Sequence, residues 1–148
     1  MRRVLAATGL VTALAATLTL GCGTAGSTPE DSPAQAPSEN LTPLFSEGLP
    51  NVPGKTFTSA IVTFPPAAHA LPHRHGNAFV YAYVLEGAVS SELEGAPAQV
   101  YHQGQSWSES PGAHHVATAN ISDTDEAKLL VVFVAPTGSQ LKVEDPQS

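Results

Sequence analysis

Cysteine is almost missing from this chain, one in 148 residues, so no internal disulfide can brace the fold and no pair of thiolates can hold zinc. Basic residues are scarce too: six Lys and Arg face thirteen Asp and Glu, for a formal charge of −7. Loss of Arg2 and Arg3 with a cleaved N-terminus would leave four against thirteen. A surface of that sign repels phosphate backbones and excludes nucleic acid as a partner. No stretch sustains a helical apolar period, which excludes a coiled coil or helical bundle. No P-loop, dinucleotide fingerprint or nucleophile elbow is present, so kinase, dehydrogenase and hydrolase readings lack support. Turn chemistry is plentiful instead: 12 Gly and 13 Pro suit short strands cut by many turns within one small domain.

The first residues read as targeting. Met1-Arg2-Arg3 is a short positive start, and the seventeen residues from Val4 to Leu20 are an apolar run of Val, Leu, Ala, Thr and Gly, the layout of an export signal. The only cysteine, Cys22, stands directly behind it, and Leu18-Thr19-Leu20-Gly21-Cys22 resembles the lipobox of bacterial lipoproteins. It departs from that pattern in one respect, since Thr19 and Leu20 reverse the usual order of aliphatic and small residue. The resemblance implies a signal peptide over 1–21, lipidation of Cys22 and export to the cell envelope, with the membrane touched only through the lipid anchor. Ordinary secretion with cleavage nearby and an uncleaved anchor are the alternatives. Residues 22–43 are mostly Gly, Thr, Ser, Pro, Ala and acidic residues with little to bury, and read as a flexible linker.

The remaining residues, 44–148, read as one all-β domain. β-Branched and aromatic runs predict strands near 56–64, 78–86, 88–93, 98–103, 105–109, 114–120 and 128–135, and strands at that spacing imply a sandwich or barrel. Pro65-Pro66, Gly76-Asn77, Glu94-Gly95-Ala96-Pro97, Gly104 and Ser110-Pro111-Gly112 supply the breaks. Segment 128–135 is almost wholly apolar, so a central strand covered on both faces is expected. The tail from Thr137 is polar and is expected to pack loosely.

Histidine is where chemistry gathers. His69, the pair His73 and His75, and the neighbours His114 and His115 fall in three places, with His102 apart. Two histidines at i and i+2 on an extended segment face the same way, so both imidazoles can reach one point. Neutral imidazole is also the commonest ligand for transition metals. A solvated surface pair fits H-x-H equally well. Phe79, Tyr81 and Tyr83 alternate along one face and Trp107 lies on a later strand; Tyr83, Trp107 and Val80 are candidates to line a small-molecule pocket, with core or dimer surface as the alternative for the aromatics.

Residues 72–87, from Pro72-His73-Arg74-His75 through Val80 to Gly87, resemble the first motif of the cupin superfamily. Gly104 to His115, with Pro111-Gly112 inside it, resembles the second, and sixteen residues lie between Gly87 and Gly104. The resemblance implies a cupin-type jelly-roll β-barrel with His73, His75 and His115 as ligands of one divalent transition metal, whether Fe, Zn, Ni, Cu or Mn. Val80 stands where the family carries its metal-binding Glu, Ser110 replaces the motif proline, and Asn120 comes one residue late. Three protein ligands still leave open positions for a substrate or dioxygen. Glu109 is a candidate replacement carboxylate, with a solvated strand-end charge as the alternative. His114 and His69 are further candidates for a ligand or a residue behind the ligands, His114 being expected at the rim. The implied function is metal-dependent oxygenase or isomerase chemistry on an unidentified small molecule. The alternatives are a non-catalytic ligand- or metal-binding surface lipoprotein and a metal-free interaction module, and a homodimer is compatible with open sheet edges.

Overall fold

The computed structural model describes residues 37–146. The export signal, Cys22 and most of the expected linker lie outside the described residues. Eleven strands follow in chain order: β1 Asn40–Gly48, β2 Lys55–Phe64, β3 His69–Ala70, β4 His73–Arg74, β5 Phe79–Glu86, β6 Ala88–Leu93, β7 Gln99–His102, β8 Ser106–Glu109, β9 His114–Asn120, β10 Ala127–Pro136 and β11 Val143–Glu144. They form two antiparallel sheets, ordered β1-β2-β10-β5-β8 and β11-β4-β9-β6-β7, with β3 pairing β9. This is the all-β jelly-roll architecture: the chain crosses repeatedly between two sheets whose apolar faces meet inside.

Alternation sets which face turns inward. In β10, Ala127, Leu129, Val131, Phe133 and Ala135 are buried, and in β5 Val80, Ala82 and Val84 are buried opposite Phe133, Val131 and Leu129. The strand β10 is central, between β2 and β5, but it is covered on one face only, contrary to the expectation of cover on both. Leu130, Val132 and Val134 are half-buried and lie opposite Tyr83, Tyr81 and Phe79 on the outer face. That apolar outer row is why the segment reads as doubly buried when it is not.

Gly87 makes the tight turn from β5 to β6. Its φ is 74°, and a Cβ there would stand 3.0 Å from the Glu126 carbonyl oxygen, so only glycine fits.

Two boundaries differ from expectation. Residues 40–43, assigned to the linker, begin β1, which pairs with β2 from Asn40↔Thr63 to Gly48↔Thr56 across a bulge between Pro43 and Phe45. Every residue of β1 is exposed, so no hydrophobic alternation marks it, and backbone pairing at a sheet edge holds it in place. The tail is tied down as well: Val143 and Glu144 pair with Arg74 and His73.

Candidate metal centre

The site grows from one cross-strand pair. β4 runs antiparallel to β9 with His73 opposite His115 and Arg74 opposite His114. Opposite residues share a face, so His73 and His115 both turn into the barrel, where they are 6% and 3% exposed. His75 follows two residues on and turns inward beside them. One ligand atom from each of the three lies within 4.8 Å of the others.

Their hydrogen bonds decide what these rings can do. His73 Nδ1–H donates to the Leu71 carbonyl at 2.7 Å and His75 Nδ1–H to the Leu141 carbonyl at 2.5 Å. Both Nε2 atoms therefore carry bare lone pairs, and they face each other at 3.2 Å. A proton between them would relieve the repulsion, but burial drives the His73 pKa down to about 4 and lowers that of His75 as well. Near neutrality both rings are uncharged, and two lone pairs converge on a point that a cation would satisfy. His115 Nε2 is in hydrogen-bond contact with the Ser91 hydroxyl at 2.9 Å and the Thr118 hydroxyl at 2.7 Å. Its Nδ1 is buried without a hydrogen-bond partner, as is Glu109 Oε2.

Glu109 is not the solvated strand-end charge considered above. It is 2% exposed, accepts a hydrogen bond from Trp107 Nε1 at 3.1 Å, and stands 3.2 Å from His115 Nδ1 and 3.7 Å from His75 Nε2. Burial pushes its pKa up, but the contact with His115, the electrostatic influence of the His115 and His75 rings and the Trp107 bond hold it below the ordinary carboxylate range.

The other candidates separate clearly. His114 faces outward, its Nε2 2.8 Å from Asp145 Oδ2, as expected of a rim residue. His69 is exposed on β3 and His102 on β7, neither in the cluster. Arg74 turns away to Glu94 and the Gly112 carbonyl. Val80 and Trp107 line a cavity of about 290 Å³ that the three histidines and Glu109 also line. Tyr83 does not line it. It lies on the outer face opposite Leu130, because Val80, Ala82 and Val84 take the inward phase of β5. Most of the cavity wall is apolar, including Phe64, Leu129, Val131 and Phe133, while Glu39 and Lys142 are paired at its edge.

Leu141, Ser91 and Thr118 went unrecognised in the sequence. The signal for Thr118 was hidden by a bulge: the β6–β9 register passes from Glu92↔Ala117 to Leu93↔His115, skipping Val116. The extra residue shifts the inward phase by one, so that His115, Thr118 and Asn120 are the buried members of β9. The same insertion accounts for Asn120 coming one residue late in the motif.

A family model described as "Cupin domain" matches residues 60–133, half of the chain. The chain belongs to the cupin family. No curated protein matches this cupin. Among solved structures it is similar to the cupin domain of Cnp3 from Schizosaccharomyces pombe, at 16% identity and a TM-score of 0.57, over 67% of this chain and 66% of that one. It is also similar to an uncharacterised Klebsiella pneumoniae protein with a double-stranded β-helix domain, at 13% identity and a TM-score of 0.57, over 74% of this chain and 86% of that one. A third is a recombinant oxalate oxidase in complex with glycolate, at 20% identity and a TM-score of 0.58, over 75% of this chain and 57% of that one. The chain thus spans less than two-thirds of the length of the first and third, and at these identities the likeness concerns the fold.

Proposed function

We propose that this protein binds one divalent transition metal through His73, His75 and His115 and uses it to bind and transform a small molecule within the barrel. The observation carrying this reading is the pair of bare Nε2 atoms 3.2 Å apart, each aimed by a backbone carbonyl behind its ring. When bound, the metal would supply Lewis acidity to an oxygen donor, as an isomerase reaction needs, or, if redox-active, activation of dioxygen, as an oxygenase reaction needs. The chain's own residues do the rest. The Leu71 and Leu141 carbonyls hold two imidazoles in one tautomer, and the Ser91 and Thr118 hydroxyls hold the third ring. The apolar wall of Phe64, Leu129, Val131 and Phe133 excludes water and accepts an apolar body. The substrate class that suits this cavity of about 290 Å³ is a small molecule with an oxygen-donor head and a compact apolar remainder. The oxalate oxidase neighbour, bound to the small oxygenated ligand glycolate, lends support by analogy of fold.

The N-terminus fits the same reading. Export with lipidation of Cys22 would present the barrel in the cell envelope on a tether. Cys22→Ser should move the protein from the membrane to the soluble fraction, and unchanged fractionation overturns the anchor.

Elemental analysis of the purified, untagged protein tests the metal. About one equivalent of a single transition metal is expected, and it should be lost in a His73→Ala/His75→Ala variant. No metal after reconstitution with iron, zinc, nickel, copper and manganese in turn overturns the reading.

A further inference from the structure

The three histidines do not exhaust the unmet polarity of the cavity. β8 runs antiparallel to β5 with Glu109 directly opposite Val80, the position at which the family's first motif carries a carboxylate. Directly opposite residues hold their Cβ atoms about 5 Å apart on one face, and both side chains line the cavity that holds the histidines. A carboxylate lost from β5 can therefore be replaced from the adjacent strand with no change in the backbone.

Glu109 also has the surroundings of a ligand. Oε1 accepts one hydrogen bond, from Trp107 Nε1, while Oε2 is buried with no partner. No Lys or Arg pairs with it among the described residues; its only ionisable neighbours are His75 and His115. Two of the cluster's imidazole nitrogens are bare, and the nitrogen of His115 nearest the carboxylate, Nδ1, is buried 3.2 Å from Oε1 without an aligned hydrogen bond. A buried anion without a cation is costly, and a cation held by the three histidines would lie beside this carboxylate, which stands 3.2 Å from His115 Nδ1 and 3.7 Å from His75 Nε2.

We propose that Glu109 is the fourth protein ligand of the centre, its carboxylate transposed from β5 to β8 across the Val80–Glu109 pair. This inference rests on the reading that His73, His75 and His115 hold a metal. With Glu109 bound, the centre would carry a formal charge one unit lower than with three neutral imidazoles, and one fewer position would remain for substrate.

The test is Co²⁺ binding to the purified protein, read by affinity and by the visible d–d spectrum. Two variants are compared with the parent: Glu109→Gln, and the exchange Val80→Glu with Glu109→Val. Loss of a group that only supports a ligand weakens binding by about 10–100-fold. As a ligand, Glu109 should show a loss above about 100-fold in Glu109→Gln together with a changed spectrum, and the exchange variant should recover most of the affinity. If Glu109→Gln fails to fold, recovery in the exchange variant alone supports the proposal. Parent and Glu109→Gln binding equally with the same spectrum overturns it while leaving the three-histidine centre intact. Weakened binding with an unchanged spectrum and no recovery on exchange also overturns it, making Glu109 a positioning residue for His115. A parent that binds no Co²⁺ overturns the metal reading itself.

Discussion

His73 shows how one buried side chain ties folding to pH. Burial is the largest influence on its pKa, opposed by the bond to Leu71 and reinforced by His75, His115 and Lys142, and the outcome is a value of about 4. In an unfolded chain the same imidazole takes up its proton near pH 6.5. Between those values the unfolded state holds more protons than the folded one, so stability falls as pH falls. The metal-free protein should lose on the order of 3 kcal/mol between about pH 7 and about pH 4, with His75, shifted in the same direction, adding to the loss. Urea unfolding across this range checks it: His73→Ala should flatten the profile, and an unaltered slope would place the effect elsewhere. Asn120 is a second residue whose role is structural. Its Nδ2 donates to the carbonyls of Phe64, Pro65 and Asp125 while Oδ1 accepts from the Ser122 amide, clamping the end of β2 to the β9–β10 turn. Asn120→Ala strips several carbonyls of their donor and should cost about 2–3 kcal/mol, measured by thermal or urea unfolding.

Among the strands, length did not decide importance. The two-residue β4 carries His73, and the two-residue β11 seals its edge. Neither is long enough to show an alternation, so the tail looked loose although Leu141 fixes the tautomer of His75. A chain ending at Gln140 should keep its circular dichroism and its two-sheet core yet bind metal about 10–100-fold more weakly, the usual effect of removing a group behind a ligand. Unchanged affinity on titration would mean that the Leu141 carbonyl is dispensable. The bulge in β9 has comparable weight. A strictly alternating β9 would put Ala117 and Ala119 beside His115, whereas the skipped Val116 delivers Thr118 and Asn120 to the interior.

Taken as a molecule, this cupin places its three-histidine cluster where β4, β9 and the C-terminal tail converge, with Glu109 of β8 beside it. A metal there would join segments distant in sequence, from His73 to His115, and should therefore stabilise the fold in proportion to occupancy. With free metal at about 100 times its dissociation constant, linkage adds about 2.7 kcal/mol. Metal loading should raise the melting temperature, and a chelator should reverse the change. A melting curve indifferent to both would argue that no metal binds the folded state selectively.

Most strands, the turns between them and the three histidines were legible in the residues, because alternation, β-branching, Gly-Pro breaks and the H-x-H spacing act over a few neighbours at a time. The departure at Val80 was equally plain. What took the role of that missing carboxylate was not, since Glu109 meets Val80 only through the pairing of β8 with β5. The exposed strand β1, the inward turn of Thr118, the outward turn of Tyr83 and the docking of the tail on β4 likewise depended on register between distant segments. Burial of a given side chain follows from which strand lies opposite it, and that is set only when the two sheets close on each other.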